Sequence, residues 1–276
     1  MMSESTANLL QSVREGLRAL ADELAAGKSD RLQAALDFAA SFHRHSLRNQ
    51  ALIAQQCPQA IYIASYRTWQ KLGYQVRKGA RGIRILAPRP YMITADDGAE
   101  EQHVAFVAVS VFDASQLNEP PALPVHRAAL PDDQRELADA VQAAIETEGI
   151  RVEERDDLGI AEGWSAGGRI AVRRGADSHN RVLIMLHEWA REVPHQGESK
   201  ALARERKEAQ AESVAYVVSR HFGFPHPYAA SYLESWGALT LADLERELDA
   251  VLRAADHMIE RLGAGSRVDA CPGLAA

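Results

Sequence analysis

The 276-residue chain has only two cysteines, Cys57 and Cys271, far apart and the second in a Gly/Ala-rich stretch. Neither a disulfide framework nor a cysteine-based zinc site is expected from them. No apolar run approaches the roughly 18 residues that a membrane helix needs, and the opening MMSESTANLLQSVREG lacks a basic segment followed by an apolar one. A soluble, cytoplasmic protein with no membrane partner is the expectation. The most informative absence is of acid. From Ser41 to Ala95 there is no Asp or Glu, while Arg44, Arg48, Arg67, Lys71, Arg77, Lys78, Arg81, Arg84 and Arg89 are basic. This block carries +9 in a chain of formal charge −7, so the remainder carries −16 (−7 − 9). The net charge excludes a protein that coats nucleic acid with its whole surface, but it leaves room for a localised anion-binding face.

What is present fits an ordinary globular protein, with a 46% hydrophobic and 25% charged composition and enough length for two modest domains. Leu9, Leu10, Val13, Leu17, Leu20 and Leu24 recur at helical spacing, and Ser29 is placed to cap a second helix through Leu32, Ala35, Phe38, Ala39 and Phe42. After Pro58 the text turns to short β-rich runs at Ile61–Ala64, Ile83–Leu86, Tyr91–Thr94 and Val104–Phe112, with Asp96-Asp97-Gly98 as a hairpin turn. Pro120, Pro121, Pro124 and Pro131 cluster as a linker. Beyond them the pattern predicts a helix over about 132–148, strands near Val152 and over Arg169–Val172, and helices over about 178–192, 203–222 and 240–262. The predicted fold class is α+β with two domains: an N-terminal α+β domain over 1–125, a mainly helical domain with a small sheet over 126–262, and a flexible tail over 263–276.

Within the acid-free block, Phe42, Tyr62, Tyr66, Trp69, Tyr74 and Tyr91 alternate with the cations. Unpaired bases stack on rings while Lys and Arg follow phosphates, so this mixture suits single strands, whereas a duplex offers no open base faces. Arg77-Lys78-Gly79-Ala80-Arg81-Gly82 reads as a basic loop whose glycines let a phosphate chain approach the backbone. The candidate nucleic-acid residues are Arg44, Arg48, Trp69, Lys71, Arg77, Lys78, Arg81 and Arg84. The competing reading makes the rings core and the cations a solvated face.

Five ordered blocks carry a resemblance: Phe42–Gln50 (FHRHSLRNQ), Trp69–Gly73 (WQKLG), Val76–Gly79 (VRKG), Gly82–Pro88 (GIRILAP) and Val111–Gln116 (VFDASQ). They resemble the N-terminal domain of ArdC-type antirestriction proteins and related plasmid primases. The resemblance implies a single-stranded-DNA-binding domain from a mobile element, whose associated role is protecting entering DNA. It adds Asn49, inside the first block, to the candidates.

A second constellation lies downstream. Met185-Leu186-His187-Glu188-Trp189-Ala190-Arg191 sits in a helical stretch where i and i+4 share a face. His-Glu-x-x-His there would aim two imidazoles at one Zn²⁺, with the Glu activating metal-bound water. This chain has His-Glu-x-x-Arg. Glu208 and Glu212 stand at i and i+4 of a later helix, spaced for one to ligate and the other to orient a histidine. With Gly163–Val172 before the motif and Glu208–Val218 after it, the region resembles the C-terminal domain of the same antirestriction proteins and, more broadly, the ImmA/IrrE-like zinc metallopeptidases. That resemblance implies a zincin-like fold in which His187 is the first ligand, Glu188 the general base, Glu208 the third ligand and Glu212 a supporting partner. The spacing alone leaves Glu208 and Glu212 interchangeable.

Arginine stays protonated and has no lone pair for a cation, so Arg191 cannot replace the second imidazole. Zinc binding is expected to be weak or absent, with the guanidinium balancing the charge of Glu188, Glu208 and Glu212 in the metal's place. His195, at i+8, lies about 12 Å along a straight helix axis from His187 and would ligate only if the chain bends at Pro194. His179 and His221 read as structural or surface residues. The leading expectation is a single-stranded-DNA-binding, antirestriction-like protein with a degenerate peptidase-like domain. The alternatives are a working zinc endopeptidase recruited to DNA to cut a protein substrate, and a non-catalytic module that holds a protein partner.

Overall fold

The computed structural model describes residues 4–94, 100–119, 133–193, 204–227, 236 and 239–264. Packing divides the chain into two compact units, which among these residues are 4–19 with 45–119, and 20–44 with 133–264. The expected boundary near 125 and its linker prolines lie outside the described residues, as do the Asp96–Gly98 turn and 265–276 of the expected tail. The contacts also group Leu20–Arg44 with the second unit, unlike the expected 1–125 segment.

Helix α1 (Glu4–Ala25) buries Val13, Leu17, Leu20 and Leu24 along one stripe. In the first unit its residues 4–19 are joined by α3 (Leu47–Gln56), β1 (Ile63–Ser65), α4 (Tyr66–Lys71), β2 (Ile83–Thr94) and β3 (Glu100–Asp113). Ser46 and Ser65 cap α3 and α4, accepting from the amides of Asn49 and Thr68. The antiparallel sheet has the order β1-β3-β2. Its β2/β3 register runs from Ile83↔Val111 to Thr94↔Glu100, so two runs expected as separate strands form one long β2. The near half of this ribbon is core, with Ile83, Ile85, Leu86 and Val111 buried, while Tyr91, Met92, Ile93, Val104 and Phe106 in the far half are exposed.

Buried Asp113 locks the root of this sheet. Its carboxylate accepts from the amides of Ile61, Tyr62 and Ser115 at 2.9, 3.0 and 2.8 Å. Burial alone would raise its pKa, but these bonds hold it below the usual carboxylate range.

The second unit contains α2 (Asp30–Phe42), α5 (Gln134–Thr147), β4 (Arg151–Arg155), β5 (Gly163–Ser165), β6 (Arg169–Arg173), α6 (Ser178–Glu192), α7 (Arg204–Phe222) and α8 (Leu241–Ala264). Ser29 precedes α2 as expected, but its side chain makes no capping bond. Asp37 of α2 accepts from Tyr216 Oη at 2.8 Å and Arg220 Nε at 2.7 Å, which ties α2 to α7. Strand β6 pairs parallel with β4 and antiparallel with β5. Trp189 is fully buried, and its Nε1 donates at 3.0 Å to Glu148, the residue that follows α5, which fixes the rotation of α6 about its axis. No described helix is long and apolar enough to cross a membrane.

Candidate functional site

In the first unit two exposed cations of the acid-free block, Arg77 and Lys78, line one recess. Arg77 to Ala80 form a turn closed by the Ala80 amide on the Arg77 carbonyl at 3.1 Å, with Gly79 at φ +85°, a conformation that favours glycine. The 114–118 segment holds this turn from behind. Arg77 N donates to Gln116 O at 2.9 Å, Gln116 Nε2 donates to Arg81 O at 2.8 Å, and the Arg77 guanidinium donates to Ser115 O. In front of the turn opens a recess of about 500 Å³, lined by Tyr66, Phe112, Arg77, Lys78, Gly79 and Asn118 among others. Tyr66 is 42% exposed and meets Phe112 edge-on, with ring centroids 6.2 Å apart. An exposed ring beside two cations can stack a base while the cations hold its phosphate.

The other sequence candidates take different places. Trp69 does not offer a stacking face: it is 1% exposed, packed with Ala64, Val76 and Leu117, and donates from Nε1 to Phe112 O at 2.9 Å. This is a correction, and its reason is that Trp69 lies on the inner side of α4 whereas Tyr66, at its first position, faces out. Asn49 is also occupied structurally. Its amide donates to Leu86 O and accepts from Leu86 N, both at 2.9 Å, as Gln56 does for Arg84. Arg84 is half-buried and donates to Ser5 Oγ at 3.0 Å. Lys71, Arg77, Lys78 and Arg81 are exposed in this unit, as is Arg48. Arg44 is exposed in the second unit.

In the second unit, α6 and α7 bring the five motif residues together. His187 Nδ1 lies 3.3 Å from Glu212 Oε2, and its Nε2 lies 3.2 Å from Glu208 Oε2. Arg191 Nη1 donates to Glu208 Oε1 at 2.8 Å, and its Nε is 3.6 Å from Glu188 Oε2. Glu188 also accepts from Ser165 Oγ of β5 at 2.6 Å. Strand β5 comes this close because residue 163 is glycine: a Cβ there would sit 2.4 Å from Ile184 Cγ2 and 3.1 Å from Glu188 Cγ. Burial opposes protonation of His187, but its bonds to Glu208 and Glu212 and the Glu188 charge outweigh burial and raise its pKa to about 9. Two cations, Arg191 and the His187 imidazolium, therefore face three carboxylates.

These residues do not fit a zincin metal. A guanidinium occupies an oxygen of Glu208, both nitrogens of His187 face carboxylates, and the i+4 position supplies no lone pair. Among the described residues no group of three or more His, Cys, Asp or Glu side chains is arranged to hold a metal ion. His195 lies outside the described residues. His179 stacks on Phe224 at 4.9 Å, and His221 Nδ1 lies 2.6 Å from Ala40 O, so both make structural contacts. The sequence missed His226, whose pKa is lowered by burial, with the Glu212 charge opposing and the His187 charge reinforcing the shift. No spacing motif marks it.

Comparison with known proteins adds three findings. Residues 1–113 match the family model of the N-terminal domain of anti-restriction factor ArdC. An uncharacterized protein of Bacillus anthracis is 24% identical, over 79% of this chain and 44% of its own length, so the chain spans less than half of that curated relative. The crystal structure of antirestriction ArdC protein from R388 plasmid, metal-free, superposes with a TM-score of 0.57 at 17% identity, over 93% of this chain and 99% of the other. Its Mn(II)-bound structure gives 0.55, also at 17% identity, over 94% and 99%. At that identity the likeness is one of fold.

Proposed function

With residues 1–113 matching the ArdC N-terminal domain, and nearly the whole chain sharing the fold of that antirestriction protein, we propose a single-stranded-DNA-binding protein of a mobile element, antirestriction-like in role. Its peptidase-like site is degenerate. The observation that carries the DNA reading is the recess lined by exposed Tyr66, partly buried Phe112 and the Arg77–Ala80 turn. Stacking contributes about 1–3 kcal/mol per base, and the neighbouring cations make affinity fall steeply with salt as counterions leave the phosphates. Fluorescence anisotropy tests this with one labelled oligonucleotide, alone and as a duplex. The single strand binds more tightly, and Tyr66→Ala weakens it by roughly 5- to 150-fold, the factor that stacking energy implies. Equal affinity for both forms removes the stacking argument.

The Arg191 geometry supports the degenerate reading of the second site, because the guanidinium already balances the carboxylates that a metal would have balanced. The opposing reading, a working metal-dependent endopeptidase, draws on the Mn(II)-bound ArdC structure. Metal analysis of the purified chain separates them. Substoichiometric zinc and manganese support the degenerate reading, and one metal per chain overturns it.

A further inference from the structure

The recess of the first unit is lined from separate stretches of chain: Tyr66 and Phe112 supply rings, and the Arg77–Ala80 turn supplies cations. A base and its phosphate are joined covalently, so a strand uses rings and cations together only if their separation is held. Gln116 is bonded on both sides. It ends the 3₁₀ turn Ala114–Gln116 that follows β3, where its side-chain oxygen accepts from the Asp113 amide at 2.8 Å and the Asp113 carboxylate accepts in return, completing a capping box. Asp113 follows Phe112 in the chain and accepts from the amides of Ile61 and Tyr62, just ahead of β1 and Tyr66. Those contacts belong to the ring side. On the cation side, Gln116 O accepts from Arg77 N at 2.9 Å and Gln116 Nε2 donates to Arg81 O at 2.8 Å. These two bonds flank Lys78–Ala80 and so set the span of the turn.

We propose that Gln116 is the positioning residue of this site: it touches no nucleotide, but it fixes the basic turn relative to the rings, so that one nucleotide meets both. The inference rests on the single-strand reading of the recess. The partners of the Gln116 side chain are backbone groups of opposite sense, the Asp113 N–H and the Arg81 carbonyl, and an uncharged amide serves both at once. The Arg77 end of the turn has other anchors, since Asn118 N donates to Gln75 O at 2.9 Å and Val76 bridges to Leu117. The Gln116 side chain therefore matters most at the Arg81 end. That bond lies at the surface, where it adds little to global stability. Its effect is local, on a turn closed internally by the Ala80 N to Arg77 O bond at 3.1 Å.

The test uses Gln116→Met on the full chain, a change of similar length that removes both side-chain bonds and adds no charge. Fluorescence anisotropy with a labelled oligothymidylate is read over a salt series, in the wild-type background and in Lys78→Ala. Gln116→Met weakens binding by roughly 2- to 12-fold, the factor that one hydrogen bond of ordinary net strength implies. The plot of log affinity against log salt flattens by about 0.7, the value of one phosphate contact on a single strand. In Lys78→Ala the effect of Gln116→Met shrinks, because the cation it places is gone. A merely structural role would lower the active fraction equally in both backgrounds and leave the salt slope unchanged, and that result overturns the proposal. So does a folded Gln116→Met that binds like wild type. If the variant does not fold, hydrogen exchange on the wild-type chain decides: the Arg77 and Asp113 amides are protected before any strand is added, and exchange at the rate of an unstructured chain overturns the proposal. A wild type that binds no single strand defeats the DNA reading itself, whereas a wild type that binds beside an unaltered Gln116→Met defeats this inference alone.

Discussion

Replacing Arg191 by histidine removes a guanidinium and restores His-Glu-x-x-His in one step, so its effect on stability depends on metal. Without metal the variant loses the 2.8 Å bond to Glu208 and the 3.6 Å contact with Glu188. The Arg191 side chain is one-third exposed, which discounts the pair. Its acceptors are 17% and 7% exposed, so the carboxylates left behind bear most of the cost. A loss of about 1–3 kcal/mol is expected, between the values for exposed and buried pairs. With metal at 100 times its dissociation constant, ligation returns about 2.7 kcal/mol. The variant therefore melts several degrees below wild type in chelator and recovers most or all of that difference in excess Zn²⁺, while wild type melts at the same temperature in both. Differential scanning calorimetry on paired samples, with metal counted after desalting, reads this directly. A wild type stabilised by zinc as strongly as the variant, or a variant that gains nothing from it, refutes the charge-replacement argument.

Other outcomes follow from the same geometry. The pKa of His187 is raised above its ordinary 6.5 to about 9, so its stabilising contribution is full below pH 6.5 and is lost as pH rises through 9. This contribution is on the order of 3 kcal/mol at most. His187→Gln should flatten the decline of melting temperature between these values, and an unchanged slope would place the titration elsewhere. Trp69→Ala should cost about 3–5 kcal/mol in denaturant unfolding, whereas a ring used only for stacking would leave stability intact and lower DNA affinity. Gly163→Ala should also destabilise, because its Cβ would lie 2.4 Å from Ile184 Cγ2, and a melt equal to wild type would show that β5 can move away.

The parts of this molecule legible in the sequence are those set by short-range pattern. The i and i+4 spacing put His187 and Arg191 on one face of α6 and Glu208 and Glu212 on one face of α7, and charge alone implied that arginine would meet carboxylates. That α6 and α7 face each other came through resemblance, since periodicity says that a stripe is buried but not against what. The same limit hid the grouping of Leu20–Arg44 with the second unit, where the partners of α2 on α7 lie some 180 residues away in sequence. Asn49 and Gln56 look like ordinary polar helix residues, yet they close a strand edge, a role that depends on a backbone direction no side-chain pattern records. Tyr66 and Trp69 were indistinguishable as rings in a basic block. Only the start of α4 after Ser65 decides which of them faces water.

Photo-crosslinking of a bound single strand, followed by peptide mapping, tests the central claim most directly, because it reports where the unpaired bases rest. Adducts at Tyr66 and Phe112, lost when Lys78 and Arg81 are changed to Glu, are the predicted result. Adducts confined to residues beyond 133, or a map unaltered by those charge reversals, would contradict it.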